Sequence, residues 1–233
     1  MGRDSVRGAG ARADGPAVAI RPPPTHPVVL VVEASSSAVT TGTRYWCDRK
    51  LLIAVDGPEG RSSTTVQKPF ARVGSHAGSE IVLPDKRVRP RALYVHAAET
   101  GVFCLNLSAS QSASSSSRGW LHPDQKLTVG PYQLSARLSG DVHPPLNCTA
   151  DLEAKGSAEA PFPVVAATVQ GEEIGRRLLT RRLTLVGRHR SSKIRLTSHS
   201  VSAAHCVMVW ASGALWVVDL LSGNGTQIGR AHV

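Results

Sequence analysis

The sequence predicts an all-β protein built from two antiparallel β-sandwiches that a linker joins. Short apolar or alternating segments recur along the chain between Gly, Pro, Asp and Ser residues, and no stretch shows sustained helical periodicity. A polar segment with several Pro and Ala residues interrupts this pattern at 139–162. The segments before and after this linker match each other in register, which is typical of a duplicated unit.

The elements follow in a simple order. Residues 1–26 are rich in Gly, Arg, Ala and Pro, a composition that predicts disorder. The first sandwich is expected within residues 27–138, and its predicted strands are HPVVLVVEA, RKLLIAVDG, KPFARVG, SEIVL, ALYVHA, GVFCLNL, QKLTVG and YQLSARL. After the linker, strands resume with VVAATVQ and continue through RRLTLVGR, which places the second sandwich in residues 163–233.

The internal repeat is the firmest of these observations. Placing Gly74 on Gly187 is a shift of 113 residues (187 − 74), and no gap is needed over the positions 73–107. So many apolar matches in register indicate two copies of one structural unit. The further matched pairs are Val73 with Val186, Ile81 with Ile194, Leu83 with Leu196, Val88 with Val201, Phe103 with Trp216, Asn106 with Asp219 and Leu107 with Leu220.

The second copy carries a sparse motif set. It reads GR at 187–188, IRL at 194–196, VSAAH at 201–205, WVVDL at 216–220 and NGT at 224–226. These motifs, at this spacing, resemble the signature of the forkhead-associated (FHA) domain. The first copy resembles the family only in its scaffold, RVGSHAGSEIVLPDKRV and WLHPDQKLTVGPYQL. The resemblance implies two β-sandwiches whose loops at one end bind phosphothreonine peptides.

Three residues of the second copy form the candidate phosphopeptide-binding site: Arg188, Ser202 and Asn224. A phosphate monoester offers negative charge and three acceptor oxygens, which suit the charged planar fork of an arginine and a hydroxyl donor. Asn224 lies in the turn SGNGT, where its amide can pair with the main chain of an extended peptide. The resemblance implies the same roles, with Arg188 and Ser202 on the phosphate and Asn224 on the peptide.

Four further residues are expected to support these loops: Gly187, His205, Gly225 and Thr226. The two glycines suit tight turns. The resemblance makes His205 a brace for its loop, and a role as general base for Ser202 is disfavoured because no acidic residue follows to orient the ring. The plainer alternatives are a solvated charge at Arg188 and an ordinary turn hydroxyl at Ser202.

The first copy lacks the binding residues. The shift of 113 places Ser75 at the position of Arg188, Arg89 at that of Ser202 and Ala92 at that of His205. The run SASQSASSSSRG stands in place of the NGT turn. We therefore expect the first copy to be a degenerate FHA-like unit that does not read phosphothreonine.

The two copies differ in length after their matched region. The first runs 27 residues from Leu107 to Leu134 (134 − 107) and includes two more predicted strands, whereas 13 residues (233 − 220) follow Leu220. We expect the second sandwich to lack its last strands and to present an open sheet edge.

The net charge of +10 favours an acidic partner. The leading interpretation is an adaptor of Ser/Thr-kinase signalling that binds a phosphothreonine-containing protein or a Ser/Thr kinase. One alternative is a nucleic-acid-binding protein, although the 4% of aromatic residues offers few stacking platforms. The other is a structural or assembly module with a vestigial phosphate site. The arginines behind the nucleic-acid alternative are Arg176, Arg177, Arg181, Arg182, Arg188 and Arg190.

Other classes of function find no support in the sequence. No ATP-binding loop, nucleophile elbow or metal-ligand spacing is present, so we expect no enzyme, no cofactor and no metal site. The four cysteines lie far apart without a CxxC pair, which suits reduced thiols in a cytoplasmic protein. The apolar run VVLVV is too short to span a bilayer, and no membrane partner is expected.

Overall fold

The computed structural model describes residues 28–33, 46–107, 119–122, 124–140, 163–169, 172–211, 213–228 and 231–232. The predictions for the N-terminal segment 1–26, for most of the linker and for the serine-rich run lie outside the described residues. Within these ranges the regular structure is entirely β-strand, and no helix long and apolar enough to cross a membrane is found among them. The strands are β1 (Val28–Glu33), β2 (Leu51–Gly57), β3 (Gly60–Val66), β4 (Phe70–Gly74), β5 (Ile81–Val82), β6 (Leu93–Ala98), β7 (Gly101–Asn106), β8 (Gly119–Leu121), β9 (Leu127–Val129), β10 (Tyr132–Leu138), β11 (Val164–Val169), β12 (Glu172–Leu178), β13 (Leu183–Gly187), β14 (Ile194–Arg195), β15 (Cys206–Ala211), β16 (Ala214–Asp219), β17 (Gln227–Ile228) and β18 (Ala231–His232).

The N-terminal unit is a sandwich of two sheets, with strand orders β3-β2-β10-β9 and β5-β4-β6-β7-β8. Leu51, Ile53 and Val55 alternate inward along β2, as a strand with one buried face requires. They share a hydrophobic core with Ala71 and Val73 of β4. The all-β prediction is thus confirmed, with one difference: β4 pairs with β5 in parallel, and so does β13 with β14.

The C-terminal unit has the sheets β14-β13-β15-β16 and β1-β11-β12, and the short strands β17 and β18 pair separately. One face of its first sheet packs on the second sheet through a core of its own. This core includes Val165, Ala167, Val186, Ile194, Leu196, Cys206 and Met208. The unit is therefore a second sandwich.

Strand β1 lies in the C-terminal sandwich, although the sequence places it in the first. It pairs antiparallel with β11 over six residues, from Val28 opposite Val169 to Glu33 opposite Val164. In the N-terminal unit the same position beside the first strand is taken by β10, which pairs with β2. Because β10 already pairs with β2 in the first sandwich, β1 is free to pair with β11 in the second. An open edge was expected in the second sandwich, and the edge at β11 is covered by β1.

The two units repeat one another in backbone hydrogen bonding at the shift of 113. Ser75 N donates to Arg89 O at 3.0 Å, and Arg188 N donates to Ser202 O at 2.9 Å. The Leu83 amide donates to Gly74 O at 2.9 Å, and the equivalent Leu196 amide donates to Gly187 O at 3.1 Å. The same backbone thus forms in both units despite different loop side chains.

The two sandwiches pack through equivalent faces of their central sheets. In the first unit this face carries Phe70, Tyr94 and His96. Phe70 of β4 lies opposite His96 of β6, and Tyr94 lies on the same side of β6 as His96. The positions 113 residues later, Leu183, Val207 and Val209, form the facing side and share one core cluster with them. Such a contact between like faces resembles the isologous interface of a symmetric dimer. Trp46 contacts both units in this interface. Its ring centroid lies 5.9 Å from that of Phe70 and 5.1 Å from that of His96 in the first unit, and 5.7 Å from that of Trp216 in the second.

A polar pair is buried in this interface. The Tyr94 hydroxyl and His96 Nδ1 share a hydrogen bond of 3.1 Å, and both side chains are almost fully buried. Burial disfavours the charged imidazolium and lowers the pKa of His96 from 6.5 to about 3. The same desolvation raises the pKa of Tyr94.

We expect His96 to make the protein sensitive to acid. Its folded pKa lies below its unfolded value, so between pH 6.5 and about 3 the unfolded chain holds a proton that the folded chain lacks. The resulting stability is fully present above pH 6.5 and falls by about 1.4 kcal/mol per pH unit as the pH drops through this window. Urea unfolding of the wild type and of the double variant Tyr94→Phe/His96→Leu, from pH 7 to 4.5, measures this. In the variant, the free energy of unfolding should fall less steeply with decreasing pH, by the contribution of one proton. Equal slopes for the two proteins would contradict the role of His96.

Candidate phosphopeptide site

The first loop of the candidate site begins where β13 ends. A Cβ added at Gly187 would collide with the carbonyl oxygen of Ala203 and lie 2.9 Å from its carbonyl carbon, so only glycine allows this approach. The next two amides then reach across, with Arg188 N donating to Ser202 O at 2.9 Å and His189 N donating to Ala203 O at 3.0 Å. The close approach at Gly187 therefore places Arg188 beside the loop that carries Ser202.

Ser202 is half-buried and lies between two loops. Its Oγ accepts a hydrogen bond of 3.0 Å from the Gly223 amide, which leaves the hydroxyl proton for another acceptor. Its own amide donates to His205 Nδ1 at 3.1 Å. The hydroxyl is thus held in position while it keeps the capacity to donate.

The Asn224 turn is organised by Asp219, a buried carboxylate at the end of β16. Asp219 accepts hydrogen bonds from the Ser222 amide (2.9 Å), the Ser222 hydroxyl (2.6 Å) and the Thr226 hydroxyl (2.6 Å). Gly225 has a φ of +72°, which completes the turn. The exposed Asn224 amide donates from Nδ2 to Ser200 O at 2.8 Å. All three candidate binding residues therefore lie at one end of the sandwich.

His205 supports both loops. Besides accepting from the Ser202 amide, its ring hydrogen-bonds the Gly225 backbone. Desolvation by burial lowers the pKa of His205, and the attraction of Asp219 and the bond to Gly225 offset this only in part. A neutral ring is what acceptance at Nδ1 requires. This geometry fits a bracing residue, because Nδ1 is engaged by a backbone amide rather than by the Ser202 hydroxyl.

Arg188 contrasts with these engaged side chains. Its guanidinium is exposed and, within the part of the chain that the structure describes, makes no hydrogen bond or ion pair. Its carbonyl accepts from Arg195 Nε at 3.3 Å, and Arg190 and Lys193 lie in the same loop. The end of the sandwich thus presents an unpaired bidentate donor within a basic rim.

The equivalent end of the first unit is differently equipped. The Ser75 hydroxyl, at the Arg188 position, donates to Val88 O at 3.0 Å. Arg89, at the Ser202 position, is exposed, and Ala92 replaces His205 in the core. The position equivalent to Asn224, residue 111 (224 − 113), lies outside the described residues.

Two arginines of the first unit reach the loops of the second, and sequence reasoning missed them. Arg91 Nη1 donates to Ala204 O at 3.2 Å and to Leu221 O at 3.4 Å. Arg72 Nη1 donates to Asp219 O at 3.2 Å. These contacts span 113 to 147 residues, so no local motif could reveal them.

Histidine, cysteine and acidic side chains are scattered over the described residues. They hold no group of three His, Cys, Asp or Glu side chains placed to bind a metal ion. Cys47, Cys104 and Cys206 are free and buried, and burial raises the pKa of the Cys104 and Cys206 thiols to about 12.

Comparison with known proteins gives a family match for part of the C-terminal unit. The family model of the FHA domain matches residues 184–233. This segment is thus similar to an FHA domain. The matched residues include Gly187, Arg188, Ser202, His205 and Asn224.

Three solved structures are similar to parts of the chain, and two of them are described as FHA domains. One comes from a structural and functional analysis of phosphothreonine-dependent FHA domain interactions (15% identity, TM-score 0.33, 39% of this chain, 98% of that chain). A second is the FHA domain of CT664 protein from Chlamydia trachomatis (15%, 0.33, 37% and 95%). A third is the Slr1951 protein from Synechocystis sp. (12%, 0.29, 39% and 95%). The sequence matches no curated protein.

Proposed function

We propose that the protein is a non-catalytic adaptor that binds phosphothreonine peptides through the FHA domain of its C-terminal unit. The observation that carries this proposal is the exposed Arg188 guanidinium, which has no partner among the described residues and extends from a loop whose backbone is hydrogen-bonded to the Ser202 loop. An FHA domain is an interaction module, and one solved FHA structure is described by its phosphothreonine-dependent interactions.

The expected binding chemistry follows from the geometry of the loops. Arg188 supplies two parallel donors to the phosphate, and Ser202 donates its hydroxyl, whose oxygen is already fixed by the Gly223 amide. The Asn224 amide oxygen, opposite the nitrogen engaged by Ser200, accepts from the peptide main chain. Two or three charge-assisted hydrogen bonds against the ordering cost of the peptide correspond to an affinity on the order of micromolar.

Replacing Arg188 tests the proposal. We expect Arg188→Ala to weaken binding of a phosphothreonine peptide pool by about 2 kcal/mol, or roughly 30-fold, because the phosphate loses its charged fork. Fluorescence anisotropy measures this against the unphosphorylated and phosphoserine versions of the pool.

The matched control is Arg190→Ala, which removes an exposed charge from the same loop. This variant should weaken peptide binding at most a few-fold, since an exposed charge at the rim of the site acts mainly through electrostatic attraction that salt screens. If all three peptide pools bind alike, or if the two variants weaken binding equally, the phosphate-clamp role of Arg188 is wrong.

The arrangement of the arginines favours a peptide over a nucleic acid. Arg181 and Arg182 precede β13 whereas Arg188 and Arg190 follow it, so the pairs lie at opposite ends of a strand, roughly 20 Å apart at about 3.3 Å per residue. Arg176 is engaged by Glu173 at 2.9 Å. The arginines that cluster in sequence therefore do not form one continuous patch.

The rest of the chain fits the same proposal. We assign the N-terminal unit as a degenerate FHA-like sandwich, because it repeats the backbone hydrogen bonds of the second unit without its binding residues. The chain would thus be a tandem pair in which only the second unit reads phosphothreonine, written by a Ser/Thr kinase in the cytoplasm. The partner is then a phosphothreonine-containing protein or the kinase itself.

A further inference from the structure

The first unit touches the second at the backs of its candidate peptide-binding loops. A single nitrogen, Arg91 Nη1, lies within hydrogen-bond distance of the carbonyls of Ala204 and Leu221. Ala204 belongs to the loop of Ser202 and His205, and Leu221 opens the turn that carries Asn224. One cation of the first unit therefore joins the two loops that hold the candidate site.

The loop at Leu221 needs such support. Leu221 has a φ of +58°, a left-handed conformation that is unfavourable for a residue with a side chain. Its carbonyl is held by Arg91, and its side chain packs close to Gly78, where an added Cβ would lie 3.0 Å from the Leu221 Cδ2 atom. The first unit thus stabilises both the backbone and the side chain of this strained residue.

A second arginine is fixed firmly enough to act as a rigid donor. Glu80 grips the Arg72 guanidinium with hydrogen bonds of 2.9 and 2.7 Å, and Lys68 adds an ion pair to Glu80 at 3.2 Å. Burial raises the pKa of the Glu80 carboxyl, but the bonds from Arg72 outweigh it and the pKa lies below its ordinary value. The remaining Arg72 nitrogen donates to Asp219 O at 3.2 Å.

These contacts continue towards the site through hydrogen bonds and through the chain itself. Arg72 reaches the backbone carbonyl of Asp219, whose carboxylate accepts from the Ser222 and Thr226 hydroxyls. The amide of Gly223, the residue after Ser222, donates to the Ser202 hydroxyl oxygen at 3.0 Å. Hydrogen bonds and the short chain segment from Asp219 to Gly223 therefore connect Glu80 of the first unit with the hydroxyl that would meet the phosphate.

We propose that the N-terminal unit positions the phosphopeptide loops of the C-terminal unit through Arg91 and Arg72. This inference rests on the proposed function. Arg91 and Arg72 are positioning residues: they contact loop carbonyls from behind and preorganise the donors that a peptide uses. The unit without binding residues thus contributes to affinity, since loops already ordered lose less entropy on binding.

The test compares Arg91→Met with Arg89→Met. Both remove one positive charge from neighbouring positions, but Arg89 is exposed and its side chain makes no hydrogen bond or ion pair with the second unit among the described residues. We expect Arg91→Met to weaken phosphothreonine-peptide binding about tenfold, the value of one hydrogen bond to a charged group, and Arg89→Met to change it less than twofold. Arg91→Lys, which keeps one donor, should recover part of the loss.

Amide hydrogen exchange without peptide separates this inference from the proposed function. Arg91→Met should raise exchange at Ser202, Gly223 and Gly225 while leaving the strands of the first unit protected, and Arg89→Met should leave both regions unchanged. If the wild type binds no phosphopeptide but the two variants show these exchange changes, the proposed function is contradicted and the positioning role is supported. Equal peptide binding and equal exchange in Arg91→Met and Arg89→Met would overturn the positioning role. If Arg91→Met does not fold, the comparison of Arg91→Lys with Arg89→Lys tests the positioning role by the same two measurements.

Discussion

Gly187→Ala is expected to destabilise the protein by about 3 kcal/mol and to abolish phosphopeptide binding. The added Cβ would meet the carbonyl group of Ala203 and lie 3.1 Å from the Ala204 Cα atom. These neighbours are backbone, so they cannot rotate away as a flexible side chain would. The β13 end would then separate from the Ser202 loop and carry Arg188 with it.

Two other glycines provide the comparison. Gly223→Ala places its Cβ 3.9 Å from the Ser202 Oγ atom, an ordinary contact, and should change the free energy of unfolding by less than about 0.5 kcal/mol. Gly74→Ala meets the backbone of Pro90 as Gly187→Ala meets that of Ala203, and should destabilise to a similar extent. Urea unfolding followed by circular dichroism measures all three. A Gly187→Ala variant as stable as Gly223→Ala would contradict the packing argument.

Leu30→Asp is expected to destabilise the C-terminal sandwich by about 3 kcal/mol and to weaken peptide binding with it. Leu30 is half-buried and packs against the core that includes Val165 and Ala167. A carboxylate there would be taken from water without a partner, and β1 would leave β11. The sheet β1-β11-β12 would then be reduced to a two-stranded ribbon.

The neighbouring residue supplies the control for this variant. Val31 lies on the opposite face of the same strand and is 43% exposed. Val31→Asp introduces the same charge into the same strand, yet should cost about 1 kcal/mol or less, the span of the β-propensity scale. Thermal unfolding of the two variants measures the difference, and equal melting temperatures would show that β1 does not cover this core.

Much of the strand content was readable from the sequence because it follows alternation and turn residues. Segments such as RKLLIAVDG and YQLSARL became β2 and β10 with the expected inward faces. Strand β3, GRSSTTV, was missed because six of its seven residues are exposed and carry no apolar alternation. It forms because the Pro58–Glu59 turn leads it back along β2.

The candidate binding loops were predicted for a related reason. The motifs around Gly187, Ser202 and Asn224 are short, and the chemistry of each residue type limits what it can bind. Their support was only partly readable: the sequence predicts His205 as a brace, whereas Asp219 enters the sequence analysis only as the match of Asn106 in the repeat, and its central position in the Asn224 turn was missed. The difference is that the hydrogen bonds that the Asp219 carboxylate accepts depend on a turn geometry that the sequence does not specify.

The sequence by itself determined the all-β class, the repeat at a shift of 113 and the FHA motifs of residues 184–233, because periodicity, register and residue chemistry are local properties. Only the tertiary structure decided which sandwich β1 joins and that Arg91 braces the loops of the other unit. Strand pairing depends on which edges remain unfilled, and β10 had already closed the first sandwich. Contacts between units depend on which faces remain apolar once each sandwich has formed, and this depends on the fold of the whole chain.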